Sequence, residues 1–120
     1  MTTEQRFAGR VALVTGAGGA GMGTEISRRL AREGAAIIAV ERHARRAGEI
    51  AERLRAEFDV PVRSYAIDVA DRPAVDAMLD EAAKALGAID ILVNNAAINT
   101  QGSVFDYDAD TFDEVIDVDL

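Results

Sequence analysis

The sequence predicts an α/β fold: one open, doubly wound parallel sheet with helices on both faces. Three observations predict it. Four short apolar runs, at residues 11–14, 36–40, 62–67 and 89–93, alternate with stretches whose apolar residues recur at helical spacing. The strand runs are read as mostly apolar instead of strictly alternating, as expected where helices cover both faces of a parallel sheet. Turn residues fall between the elements, with Gly34 after the first helix, Pro61 before the third strand and Gly87 before the fourth.

The elements follow in the order βαβαβαβα. The first strand leads through a glycine-rich stretch into the first helix. In the second helix Ala47, Ile50, Ala51, Leu54 and Phe58 form one apolar stripe, and in the third Val75, Met78, Leu79, Ala82 and Leu86 repeat it. A fourth helix is expected from near Asp110, with Phe112, Val115, Ile116 and Leu120 on one face, and the sequence ends inside it. Crossovers between parallel strands are right-handed almost without exception, which makes the sheet doubly wound. The reading is therefore a single Rossmann-like domain over residues 1–120, truncated after the fourth strand and its following helix.

Composition narrows the function classes. A net charge of −8 disfavours binding to a phosphate backbone or an anionic lipid surface, so neither nucleic acid nor membrane is an expected partner. No apolar run approaches the ~20 residues of a membrane span, and the first ten residues lack the core of a signal peptide, so a cytoplasmic protein is expected. There is no cysteine, which excludes thiolate metal sites and cysteine nucleophiles and leaves redox chemistry to a bound cofactor. Asp106, Asp108 and Asp110, with Asp117 at the twelfth place, imitate a calcium loop, but Thr111 stands where the sharp turn needs glycine and Asp117 where a bidentate Glu is usual. No metal site is expected.

The stretch Thr15-Gly16-Ala17-Gly18-Gly19-Ala20-Gly21-Met22-Gly23 follows the first strand and opens the first helix. Gly16, Gly18 and Gly21 satisfy G-x-G-x-x-G, in which the backbone turns tightly and approaches a pyrophosphate whose charge meets free N–H groups and the positive end of the helix dipole. Glu41 ends the second strand twenty residues after Gly21, where a carboxylate can accept from the hydroxyls of an adenosine ribose. The stretch is thus read as a site for a nicotinamide dinucleotide. Arg42, His43, Arg45 and Arg46 follow; Arg42 is the residue that could favour a 2′-phosphate and hence NADP, whereas Glu41 favours NAD. His43 is read as a surface residue.

Thr15-Gly16 with Gly21-Met22-Gly23, Asp68-Val69 after the third strand and Asn94-Asn95-Ala96 after the fourth resemble the short-chain dehydrogenases/reductases, and the resemblance covers the whole chain. It implies an oxidoreductase that moves a hydride between a nicotinamide cofactor and an alcohol or carbonyl substrate, commonly as a homo-oligomer. It implies that Asp68 and Val69 contact the adenine ring and that Asn94, Asn95 and Ala96 shape the loop beside the riboses. The plainer alternatives are a helix cap for Asp68 and turn chemistry for the asparagines. Three departures from the family pattern stand out. The glycine stretch has one additional residue between Gly16 and Gly21, Ala97 replaces the glycine of N-N-A-G, and Asp119 occupies the place of a catalytic asparagine. The family's remaining Ser, Tyr and Lys have no counterpart here: neither Tyr65 nor Tyr107 is followed by a lysine four residues later. These 120 residues alone are expected to be inactive, and the competing reading is a non-catalytic dinucleotide-binding or interaction module.

Overall fold

The computed structural model describes residues 5–19 and 21–95. Their elements run β1 (Val11–Thr15), α1 (Met22–Arg32), β2 (Ala36–Val40), α2 (Ala44–Glu57), β3 (Val62–Tyr65), α3 (Arg72–Leu86) and β4 (Ile91–Val93). The four strands form one parallel sheet in the order β3-β2-β1-β4. After β3 the chain crosses to the far side of β1, so the direction of winding reverses between β1 and β4. Open α/β sheets bind ligands at the carboxyl ends of the strands beside such a reversal.

Every residue of β1 and β2 is buried. Alternate side chains feed two cores. Ala12, Val14, Ile37 and Ala39 pack with Leu30 and Ala31 of α1 and with Ile50, Ala51 and Leu54 of α2. Val11, Leu13, Ile38 and Val40 pack on the other face with Met78 and Ala82 of α3. The stripe expected in α2 thus does the burying. Fully burying Ile50 and Leu54 is worth about 1.5–3 kcal/mol each, which outweighs the roughly 1 kcal/mol that Gly48 costs inside the helix.

The outer strands are shorter and wetter than the sequence suggests. β3 stops at Tyr65, two residues early, because its partner β2 has turned away: the N–H of Glu41 donates to the Tyr65 carbonyl (3.0 Å), and no further strand residue remains to pair. Arg63 is exposed in β3 and Leu92 is 61% exposed in β4, so among the described residues the two-sided cover expected of all four strands is seen only for the central pair. β4 begins at Ile91, after Ile89 and Asp90, because the Asp90 side chain takes the Val11 N–H (2.9 Å) that a strand carbonyl would otherwise accept. The expected helix from near Asp110, and with it Phe112 through Leu120, lies outside the described residues, as does the acidic run from Asp106 to Asp117.

The segment before β1 straps the C-terminal end of α1. Phe7 N–H donates to the Glu33 carbonyl (3.0 Å), and the Arg6 guanidinium makes a bidentate pair with the Glu33 carboxylate (2.7 and 3.0 Å). The Glu33 side chain is 5% exposed, and its hydrogen bond with Arg6 holds the carboxyl below the usual glutamate range. Among the described residues no helix is long and apolar enough to cross a membrane.

Candidate functional site

The carboxyl ends of β1, β2 and β4 meet at the glycine loop. Gly16 and Gly19 adopt positive φ (63° and 82°), a conformation that side chains with a Cβ resist. Ala17 is buried beneath the loop and donates its N–H to the Val40 carbonyl at the end of β2 (3.1 Å). The buried Thr24 hydroxyl, one turn into α1, reaches back to the Ala17 and Gly19 carbonyls (2.9 and 2.6 Å), sharing its single proton between them. Gly23 allows the closest approach: a Cβ there would overlap the Gly16 carbonyl and lie 2.7 Å from Asn95 Nδ2. The first turn of α1 can therefore lie directly against the end of β1.

The helix start is left open toward solvent. Gly21 occupies the N-cap of α1 and supplies no capping side chain, so the N–H groups of the first turn lack a side-chain acceptor there. Met22 beside them is 71% exposed. Uncapped N–H groups and the positive end of the helix dipole are what an anionic group needs. A cavity of about 360 Å³ adjoins the loop, lined by Gly19, Gly21, Thr24, Glu25 and Arg53.

Glu41 stands at the end of β2 and is 7% exposed. One carboxylate oxygen accepts the Gly18 N–H (3.0 Å), and the other accepts the His43 N–H (3.3 Å). Gly18 fits this place because a Cβ would come within 2.8 Å of both Glu41 Cγ and Arg46 Cβ. The basic cluster after β2 separates in space. Arg42 faces Asp68 (3.9 Å), Arg45 pairs with Glu49 one turn on (3.0 Å), Arg46 packs along the glycine loop, and His43 is the exposed N-cap residue of α2.

Past β3, Asp68 accepts the Ala70 N–H through its side chain (2.9 Å), and its carbonyl accepts the Asp71 N–H (2.9 Å). The cap of α3 is Asp71, whose carboxylate accepts from Ala74 N–H (3.2 Å); the alternative of Asp68 as that cap does not hold. Val69 packs at the edge of the core under α3. Past β4, Asn95 reaches the glycine loop: its side-chain amide donates to the Gly16 carbonyl (3.1 Å), and its N–H donates to the Thr15 hydroxyl (3.0 Å), which in turn donates to the Val93 carbonyl (3.4 Å). Asn94 lies exposed beside it. Ala96, Ala97 and Asp119 are outside the described residues. Among the described residues no three His, Cys, Asp or Glu side chains cluster as a metal site.

The structure thus joins Gly16, Gly18, Gly21, Met22, Gly23, Glu41 and Asn95 around one loop and sets Arg42 with Asp68 to one side. Sequence reading missed Thr24 and, though it named Thr15 in the motif and Arg46 in the basic cluster, gave neither a role at the site. Thr24 lies in the helical stretch at no position that spacing marks, and the other two matter only through neighbours distant in sequence.

A family model described as short chain dehydrogenase matches residues 10–120. The chain belongs to the short-chain dehydrogenase family. It is 39% identical over 112 residues to the (5R,7aS)-5-hydroxy-7a-methyl-1-oxo-2,3,5,6,7,7a-hexahydro-1H-indene-carboxyl-CoA reductase of Mycobacterium tuberculosis, an alignment covering 93% of this chain and 43% of that protein. A short chain dehydrogenase from Mycobacterium smegmatis superimposes with a TM-score of 0.90 at 34% identity, over 98% of this chain and 49% of that one. A metagenomic short-chain oxidoreductase in complex with NADP superimposes with a TM-score of 0.87 at 30% identity, over 95% of this chain and 51% of that one. The chain spans less than half the length of the curated relative.

Proposed function

We propose that residues 1–120 form the dinucleotide-binding part of an oxidoreductase that transfers a hydride between a nicotinamide cofactor and an alcohol or carbonyl carbon, and that the cofactor is NAD in preference to NADP. The bound cofactor supplies the hydride chemistry. The first turn of α1, with Gly21, Met22 and Gly23, offers its N–H groups to the pyrophosphate. Gly16 and Gly18 keep the loop low enough for that approach, and Glu41 accepts from the adenosine ribose hydroxyls. Asp68 and Val69 border the adenine, while Asn94, Asn95 and Ala96 border the riboses. The homo-oligomer and the cytoplasmic setting expected from the sequence belong to this proposal, as does a role for Asp119 at the place of the family's catalytic asparagine.

The observation that carries the NAD preference is the tethered Glu41 carboxylate. Its two backbone bonds keep it from swinging aside, so a 2′-phosphate would sit against a fixed negative charge. Such a like-charge contact, partly shielded from water, costs on the order of 1–3 kcal/mol, or roughly tenfold and more in affinity. Arg42, the residue that could offset this, is drawn toward Asp68. The relative crystallised with NADP supports the dinucleotide class but not this preference.

Calorimetric titration of NAD and NADP into the chain and into Glu41→Ala tests the reading. NAD is expected to bind at least about tenfold more tightly than NADP, with the gap closing in the variant. Equal affinities in the unaltered chain, unchanged by the substitution, would overturn the preference. Hydride transfer is expected only where a Ser, Tyr and Lys set joins these residues; dinucleotide binding with no turnover in a chain that has that set would favour the non-catalytic module.

A further inference from the structure

The glycine stretch is one residue longer than its family's pattern, and an extra residue between Gly16 and Gly21 must be held if the loop is to present its N–H groups in one place. Two consecutive residues at the end of β2 hold it. The Val40 carbonyl takes the Ala17 N–H (3.1 Å), and the Glu41 carboxylate takes the Gly18 N–H (3.0 Å). The first bond is available whatever side chain stands at 40. The second exists only because residue 41 has an acceptor on an arm long enough to reach back over the loop.

From this arrangement we infer that Glu41 is a positioning residue for the lengthened phosphate-binding loop, clasping Gly18 independently of any contact with the ribose. The inference rests on the dinucleotide reading but gives the carboxylate a second task. An ionised carboxylate has about four lone-pair sites. Gly18 and His43 use one on each oxygen, which leaves one on each for a vicinal diol. The two tasks are compatible. The clasp also explains the glycine at 18, since a Cβ there would be 2.8 Å from Glu41 Cγ and from Arg46 Cβ and would push the carboxylate off its donor.

The test separates reading the ribose from holding the loop. NAD and an NAD analogue lacking both adenosine ribose hydroxyls are titrated calorimetrically into the unaltered chain, Glu41→Ala and Gly18→Ala, and amide exchange at residue 18 is followed by NMR without ligand. Thermal unfolding verifies that each variant is folded, and Gly18→Ala keeps the carboxylate while displacing the clasp. If Glu41 holds the loop, both variants bind the dideoxy analogue about tenfold more weakly than the unaltered chain. The residue 18 amide in Glu41→Ala then exchanges about tenfold faster. If Glu41 only reads hydroxyls, Glu41→Ala binds the analogue as the unaltered chain does. That result, or unchanged exchange at residue 18, would overturn the inference. Should the unaltered chain bind neither NAD nor the analogue, the dinucleotide reading has failed, and exchange at residue 18 alone decides whether the clasp exists.

Discussion

The loop after β1 and the loop after β3 both stand at carboxyl ends of strands and both carry residues of the family pattern, yet they are held in opposite ways. The glycine loop is tied mainly by residues far away in sequence, Val40 and Glu41 at the end of β2 and Asn95 from beyond β4, with Thr24 of α1 adding a nearer tie five and seven residues on. The loop after β3 is held mainly by its own residues, with Asp68 accepting from Ala70 and Asp71, and Asp71 accepting from Ala74, while only the exposed Arg42 ion pair with Asp68 reaches in from elsewhere. A loop tied at long range has its shape set by the sheet. A loop tied locally keeps its shape through its own residues, and losing one of them does little elsewhere.

The largest effect that would sharpen this contrast is expected at Gly23. Gly23→Ala places a methyl group against the Gly16 backbone, which cannot yield as a flexible side chain can. Overpacking of this kind costs on the order of 3 kcal/mol. Thermal unfolding should show it, together with loss of dinucleotide binding.

Thr24→Val comes next. It leaves the Ala17 and Gly19 carbonyls without the buried hydroxyl, at a cost of about 2 kcal/mol. Because this hydroxyl ties the loop to the first turn of α1, binding should weaken with stability. A variant that unfolds more easily yet binds NAD as before would break the comparison.

Asp71→Ala removes the α3 cap and should cost about 1 kcal/mol without changing residue 18 exchange. Asp68→Ala should cost less than Asp71→Ala in stability, since Asp68 caps no helix and its side chain makes only one local hydrogen bond and a long, exposed ion pair. A spread of either change into the glycine loop, seen as faster exchange there, would show that the two loops are coupled after all.

The smallest and most conditional effect concerns Glu33, at the end of α1 away from the glycine loop. Its carboxyl is held below the ordinary glutamate range by Arg6, so its contribution is present above the unfolded value and is lost as pH falls through the lower folded one. The difference in Tm between the unaltered chain and Glu33→Gln is therefore expected to be steady above the ordinary glutamate range and to shrink progressively as pH falls below it. Dinucleotide affinity should stay the same between the two proteins at neutral pH. A Tm difference that grows in acid would contradict the role given to the pair.

Much of the architecture is legible in the sequence, because burial on both faces demands a continuous apolar run and burial on one face of a helix demands a stripe. β1, β2 and the stripe of α2 satisfy those demands. The ends of β3 and β4 were not legible, since where a strand stops depends on where its neighbour turns away. Ile67 and Ile89 are apolar because they pack against α3, not because they pair.

The candidate site divides along the same line. Spacing alone picked out Gly16, Gly18, Gly21 and Glu41, because tight turns and a helix N-terminus leave a local signature in residue type. What Glu41 does to Gly18, that Asn95 reaches Gly16, that Arg42 turns toward Asp68 while Arg46 lies along the loop, and that Gly23 must lack a Cβ against a carbonyl seven residues before it were decided by the sheet. The physical reason is reach. A hydrogen bond or a steric contact acts over about 3 Å, and only the packed strands bring residues that are 23 or 79 positions apart within that distance.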